Sequence, residues 1–543
     1  MAKKRMSYTQ TGYTKPDNVN ATKSFLKNQY LLTMTFSHLQ VEIMSEDTNR
    51  QCLLYAALTC KDFLDVALDE LWKRMDSLLP VLKLLPALQF EDDSFVCANV
   101  HVFFMISFRL QVLGGNVSKA DWDRLQYYTR RVKDFTLVYD NSHAHPSTYV
   151  RIAQLQSSTL FPSLRRLYCC LEDSYASHIF LFLSPLLDSL SLSNIGGFEN
   201  TVVGPFLATL SSSPQMLSHI VLDGGEISAD ILKKSFVHFK QLRSLVLEGT
   251  VFMADFSLWE VLGALPSLED LTLEANDPAS HPAHAPENSN SRSEGLSYFD
   301  ALEKLSITGS FILIQHFLDF IDSPCLASIN VSTVIDRDRN EHDHAEDFLT
   351  PSMTIVASKW SQSLTYLVIS NTLENGITHR NSKFLTSLTD LHEIRTFKLF
   401  GWTMENNDDA VRGLAKSWPK LRTLTLGIFL QPLNQTFVSL TTLRILADNC
   451  PELEYLLIPL DISTIPPFDD ITSKSLRHNM AVLILGSPAG VHPPDQTLLQ
   501  CQIQVARHLD LIFPYLKTIY AQDENWSGLG DLVRLCQDVR RGQ

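Results

Sequence analysis

The chain has 543 residues, 45 Lys+Arg against 60 Asp+Glu for a net charge of −15, and 45% hydrophobic content, with aromatic residues at 10%. That much apolar material can build a sizeable core and excludes wholesale disorder, and 21 Gly and 24 Pro are too few for a collagen-like or low-complexity chain. The acidic balance, spread along the chain, argues against nucleic acid as a partner, because a phosphate backbone is held by surplus cations.

Residues 1–27 read as a disordered basic tail, with Lys3, Lys4, Arg5, Lys15 and Lys23 against Asp17 and no apolar signal core. A nuclear-localisation signal is the alternative for this tail. The nine cysteines (52, 60, 97, 169, 170, 325, 450, 501, 536) are odd in number and scattered through apolar segments. That distribution fits a reducing compartment better than a disulfide framework, so the expected location is cytoplasmic, nuclear or both. The apolar windows starting at His101 and Ile179 are interrupted by charge or Pro. Both fall short of the roughly 20 residues that a spanning helix needs, and no membrane partner is expected.

Residues 28–80 carry helical periodicity. Tyr30–Leu39 is a short amphipathic stretch, and from Leu53 onward the apolar residues Leu54, Leu58, Ala67, Leu71, Trp72 and Met75 recur at three- and four-residue steps. Lys61, Asp62, Asp69, Glu70, Lys73 and Arg74 supply the polar face, and Pro80 and Pro86 punctuate the exit. Helices this small do not make a large core alone, so the segment reads as a docking module or a cap. Residues 81–130 read as a helical linker, or as an N-terminal cap for the remainder of the chain.

From residue 131 to 543 one pattern recurs: apolar, two residues, apolar, one residue, apolar. It is clearest in LRSLVL from Leu242, LEDLTL from Leu268, LEKLSI from Leu302 and LRTLTL from Leu421. Looser copies start at Val132, Leu164, Leu187, Leu217, Leu326, Leu364, Ile394, Leu453, Met480 and Leu516, making fourteen in all, spaced 23 to 38 residues apart. Helical stretches separate the copies. A lone copy would be no more than a buried strand of an ordinary α/β domain; fourteen predict stacked units that share one core. Two interruptions, near 276–297 (Pro/Ser/Asn-rich) and 335–350 (charged), read as mobile loops.

Strand–turn–helix–turn units of this length resemble the leucine-rich repeat, of the longer helix-bearing kind. AALTCKDF, followed by Leu71-Trp72, looks like the second half of an F-box, and LDELWKRMDSLLPVLKLLP is similar to the F-box/leucine-rich-repeat proteins abundant in mushroom-forming (basidiomycete) fungi. The first half matches in one of two registers. Leu31-Leu32 with Phe36 to Leu39 stands for it in the first, and Leu39-Gln40-Val41-Glu42-Ile43 in the second. The resemblance implies an α/β fold: an irregular leucine-rich-repeat solenoid with a curved parallel sheet and outer helices, preceded by a small all-α F-box-like module. It also implies a function, the substrate receptor of an SCF-type cullin-RING ubiquitin ligase. The box would bind the Skp adaptor, and through it the cullin scaffold, while the repeats hold the target protein. The residues carried over to the adaptor contact are Leu31, Leu32, Phe36, Leu39, Leu53, Leu54, Leu58, Phe63, Leu71 and Trp72, divided between internal packing and the adaptor, with Phe63 and Trp72 the leading anchors. The rival reading is a repeat-protein scaffold whose degenerate box has no ligase role; a GTPase-activating repeat protein is a more distant third.

Catalytic motifs are missing: there is no phosphate loop, HExxH, GxSxG elbow or paired CxxC, so no enzymatic activity and no cofactor are expected. Glu341, His342, Asp343, His344, Glu346 and Asp347 are metal-ligand types, but on a loop without a rigid frame, and Cys169-Cys170 falls on a strand with one thiol facing each way. In each copy the third, fifth and seventh residues point away from the core. The seventh is acidic in three successive copies, as Asp223, Glu248 and Glu274, which predicts an acidic row suited to a basic peptide, or simply a solvated charged face. Tyr366, Phe400 and Tyr455 add aromatic surface on that face, which with the acidic row is the expected target-binding surface. The seldom-filled ninth position, usually Asn or Cys, holds Asn276 but otherwise Glu172, Ile195, Gly225 and Thr250, so the turns need another way to satisfy their backbone groups.

Overall fold

The structure is a computed structural model that describes residues 28–39, 48–92, 109–137, 146–155, 159–171, 176–212, 216–225, 227–249, 256–275, 298–334, 345–371, 378–381, 383–405, 407–427, 438–461, 465–466, 478–485, 498–521 and 524–542. The basic tail, Asn276, Glu172, Thr250 and residues 276–297 and 335–344 lie outside the described residues. The chain divides into two compact units, Met1–Ser191 with Pro214–Met216, and Leu192–Ser213 with Leu217–Gln543.

The fold is α/β, with a parallel sheet of fifteen strands arranged in chain order and flanked by helices. Fourteen of these strands are the fourteen copies of the repeated pattern, from Asp134–Leu137 to Thr518–Ala521. The fifteenth, Arg74–Met75, precedes them and pairs with Asp134–Phe135. It falls inside the segment expected to be all-α. Another departure lies in residues 81–130, expected to be helical: Leu88–Asp92 and Arg109–Leu113 pair there as antiparallel strands. The apolar run leading into Arg109–Leu113 matches a buried strand as well as a helix, since periodicity does not separate the two in short runs. The loop expected to extend to residue 350 ends earlier, because a helix spans Ala345–Trp360 and contains Glu346 and Asp347.

The pattern dictates the layers. Along a strand side chains alternate faces, so the fourth and sixth residues of each copy share one side, and the first joins them as the chain enters. Leu242, Leu245 and Leu247 are wholly buried, as are Leu268 and Leu271. Each such side chain contributes roughly 1.5–3 kcal/mol on removal from water. Helices such as Ala229–Phe236, Phe256–Gly263 and Phe311–Phe320 cover this side with buried Phe236, Trp259 and Phe317.

One hydrogen-bonding step repeats along the sheet. The carbonyl of the second residue of a copy accepts two amides of the following copy, those of its second and third residues. Arg243 O accepts from Glu269 N at 2.8 Å and Asp270 N at 2.9 Å, and Glu269 O does the same for Glu303 and Lys304. Lys73 O begins the series, accepting from Lys133 and Asp134, both at 2.9 Å. At the far end of the strands the eighth residue donates across to the next copy's seventh: Gly224 N to Glu248 O at 3.1 Å, Gly249 N to Glu274 O at 3.0 Å, Ala275 N to Thr308 O at 2.9 Å. Backbone pairing thus does part of what an asparagine ladder would do. Gly401 takes φ +74° where the chain turns against the preceding strand, and a Cβ there would lie 2.7 Å from Asn371 O, so only glycine fits.

In the first unit, helices Gln29–Ser37, Thr48–Thr59 and Lys61–Trp72 pack around Leu32, Phe36, Leu53, Ala57, Val66, Ala67 and Leu68. The third of these helices is tied to the helix Lys119–Thr129 and its exit: the nearly buried Arg131 guanidinium pairs with Asp65 at 2.7 Å and with Asp69, and Tyr127 donates to Asp65 at 2.9 Å. The Tyr127 and Arg131 hydrogen bonds hold the Asp65 carboxyl below its ordinary range.

Candidate functional site

Two surfaces contain the residues singled out from the sequence. The first is the three-helix module. Leu32, Phe36 and Leu53 are buried in its core. Phe63 meets Phe36 edge-on with ring centroids 5.3 Å apart, and Trp72 lies against Tyr128 at 4.9 Å. Leu39, Leu71, Phe63 and Trp72 are all partly buried against that core, so the two leading anchors are engaged in packing within the module. Leu31, Leu54 and Leu58 face outward, with Leu58 73% exposed. Tyr30, Met34, Tyr55 and Leu64, which the sequence did not single out, are exposed beside them in the chain. The signal for them was the spacing 30/31/34 and 54/55/58, one turn apart on each helix.

The second surface is the face of the sheet turned away from the helices. Asp223, Glu248 and Glu274 are direct register partners on three adjacent strands, with Thr308 next in the row. Strand spacing puts successive Cα atoms about 4.8 Å apart. Burial raises the Glu248 carboxyl above its ordinary value, Glu274 and Asp223 raise it further, and no basic group opposes the shift. Elsewhere on the sheet acids have cations: Asp134 accepts from Arg166 at 2.6 and 2.7 Å, and Glu269 pairs with Arg243 at 3.1 Å.

Tyr366 and Tyr455 belong to one register row, separated by Thr396 and Thr423, while Phe400 sits in the row of the acidic residues, opposite Gly427. All three aromatic residues are half-buried, and Lys398 Nζ stands 5.8 Å from the Tyr366 ring centroid. Cys169 faces the core, where burial pushes its thiol up to about 12, and Cys170 takes the other face. Among the described residues no group of three or more His, Cys, Asp or Glu side chains is arranged to hold a metal ion. No helix among them is long and apolar enough to cross a membrane.

No family model matches the chain, and no curated protein matches it. Among solved structures it is similar to a sugar phosphate isomerase/epimerase from Parabacteroides distasonis, at 10% identity and a TM-score of 0.13, over 44% of this chain and 84% of that one. A likeness at that score carries no argument about fold or activity.

Proposed function

We propose that this chain is the substrate-recognition receptor of an SCF-type cullin-RING ubiquitin ligase, an F-box protein with a leucine-rich-repeat solenoid. The observation that carries the reading is the placement of exposed apolar side chains. Leu31, Met34, Leu54, Tyr55 and Leu58 turn outward from a three-helix module whose last helix runs, one residue on, into the first strand of the sheet. Burying such side chains in a groove of the Skp adaptor would hide apolar area from water and supply the anchoring contacts. The repeats would form a curved solenoid with the parallel sheet on its concave side, where the acidic row and Tyr366, Phe400 and Tyr455 receive the target protein. A basic segment fits that row, since a cation entering it meets three carboxylates already held together. The chain is non-catalytic in this reading: tethering raises the effective concentration of target lysines near the transferred ubiquitin, and the chemistry belongs to other subunits.

The test is capture of a purified Skp adaptor by the full chain, beside a Leu54→Asp/Leu58→Asp variant. Both side chains are exposed, so the variant keeps its core and its unfolding midpoint while capture is lost. A well-folded wild type that fails to capture the adaptor overturns the receptor reading and leaves a repeat-protein scaffold.

A further inference from the structure

The strands of the first unit begin in a run of like charges. Lys73, Lys133 and Arg165 stand just ahead of their strands at consecutive steps of the carbonyl ladder: Lys73 O accepts from Lys133 N at 2.9 Å, and Lys133 O from Arg165 N at 2.7 Å. Strand spacing sets neighbouring members about 4.8 Å apart. One residue further on, Arg74, Asp134 and Arg166 are register partners, and both arginines converge on the single carboxylate, at 3.5 and 2.6 Å. Glu70 takes Lys73 at 3.0 Å. Five cations thus share two carboxylates, in a chain whose net charge is −15. Lys133 and Arg165 are exposed and have no ion-pair partner among the described residues. In the second unit the corresponding edge pairs its charges. Arg243 meets Glu269, its counterpart on the next copy, at 3.1 Å, Lys420 meets Glu393 at 2.6 Å, and Arg422 meets Glu452 at 3.0 Å. Like charges side by side cost stability, and an anion from outside would relieve the repulsion that the first unit leaves in place.

We infer that this edge of the first unit, centred on Lys133 and Arg165, docks an acidic segment of a partner protein. Charge complementarity selects the occupant, and carboxylate is the anion this edge already holds. Arg166 grips Asp134 through Nε and Nη2 at 2.7 and 2.6 Å, the two-pronged geometry in which a guanidinium takes a carboxylate. The length of the run narrows the choice further. It covers two strand steps, about 10 Å, and Asp188 closes it at the third, its amide bonded to Arg165 O at 2.8 Å. A short stretch of Asp and Glu fits within that length. A nucleic-acid strand, charged at every nucleotide, would run past the end onto Asp188.

The inference does not rest on the receptor reading, and adaptor capture is scored separately. The probe is a labelled peptide with a central run of glutamates in a Gly/Ser frame, titrated with the full chain at low salt and read by fluorescence anisotropy. The expected result is saturable binding that weakens as salt is added. Lys133→Glu/Arg165→Glu should weaken it about tenfold, since two exposed attractions become repulsions. Lys234→Glu/Lys517→Glu makes the same change in net charge at exposed lysines elsewhere and should leave binding within about twofold of wild type. Both variants should keep the wild-type thermal midpoint, because Lys133 and Arg165 have no ion pair to lose among the described residues. No saturable binding by a folded wild type, equal loss in the two variants, or an oligonucleotide of the same charge bound as tightly as the peptide would each overturn the inference.

Discussion

Glu248 stands opposite Glu274 in register on adjacent parallel strands, with Asp223 opposite on its other side. Like charges placed so destabilise a sheet, and burial adds to the cost of ionising the middle one. The folded-state value is raised, so the cost is absent in acid and appears as pH rises past the unfolded carboxylate range, near 4.3. Glu248→Gln should therefore be more stable than wild type at neutral pH, by about 0.5 kcal/mol, with the gap closing below about pH 4. Thermal unfolding at two pH values measures it. An equally stable or less stable Gln variant at pH 7 would show that a cation reaches the row in the free chain.

His478 has its tautomer set by its neighbours. Nδ1 accepts from Met480 N at 3.1 Å, so the proton sits on Nε2, which donates to the Cys450 carbonyl at 2.8 Å. Phe513 closes the site edge-on at 5.3 Å. A second proton would set two donors against each other at Nδ1. Burial pushes the imidazole below its ordinary value, the Cys450 carbonyl working weakly the other way. With the folded value depressed, the unfolded chain binds more protons, and stability is lost as pH falls below about 6.5. His478→Gln should start with a lower midpoint at pH 8 but change less between pH 7 and 5. A variant whose midpoint tracks wild type across that window would assign the acid sensitivity elsewhere.

Three buried tryptophans have different indole environments. Trp360 Nε1 donates to Ser323 O at 2.8 Å and Trp418 Nε1 to Leu388 O at 3.2 Å, whereas Trp259 Nε1 is buried without an acceptor among the described residues. Phe317, Phe320 and Phe256 surround Trp259 instead. Replacing Trp360 by Phe strands the Ser323 carbonyl and should cost about 1–3 kcal/mol beyond the lost volume, whereas after Trp418→Phe the Leu388 carbonyl keeps the Leu391 amide at 3.1 Å and the added cost should be smaller. Trp259→Phe removes a polar atom that is itself unsatisfied, so it should be the mildest of the three. Chemical unfolding of the three variants ranks them; Trp259→Phe ranking worst would contradict the argument.

The sheet was legible in the sequence because the copies from Val132 to Met480 each bury three apolar side chains at fixed offsets, a requirement that survives wherever Leu is replaced by Val, Ile, Phe, Met or Cys; in the last copy only Leu516 is fully buried. Arg74–Met75 escaped notice because a two-residue strand leaves no such pattern. Its place is set by Lys73, whose carbonyl starts the hydrogen-bonding series. The second ladders, Thr378–Asn381 with Trp402–Glu405 and Val438–Ser439 with Leu460–Asp461, contain no copy of the repeated pattern and so left no signal either. On the module, apolarity alone was ambiguous: Leu53 and Leu54 are neighbours, as are Ala57 and Leu58, and in each pair the first is buried and the second exposed. Only the positions of the other two helices decide which faces inward.

The carbonyl that accepts two amides at the start of a strand also predicts where a change in length would be least disruptive. An added residue within those first positions would forfeit both bonds and turn the subsequent leucines to the wrong face. An added residue in the returning segment forfeits neither. The spacings of 23 to 38 residues between copies record this division: strand starts are invariant in form while everything between them varies. Whole copies, cut at that carbonyl, are thus the natural units of insertion and deletion, and the length of the sheet can change without redesign of its neighbours.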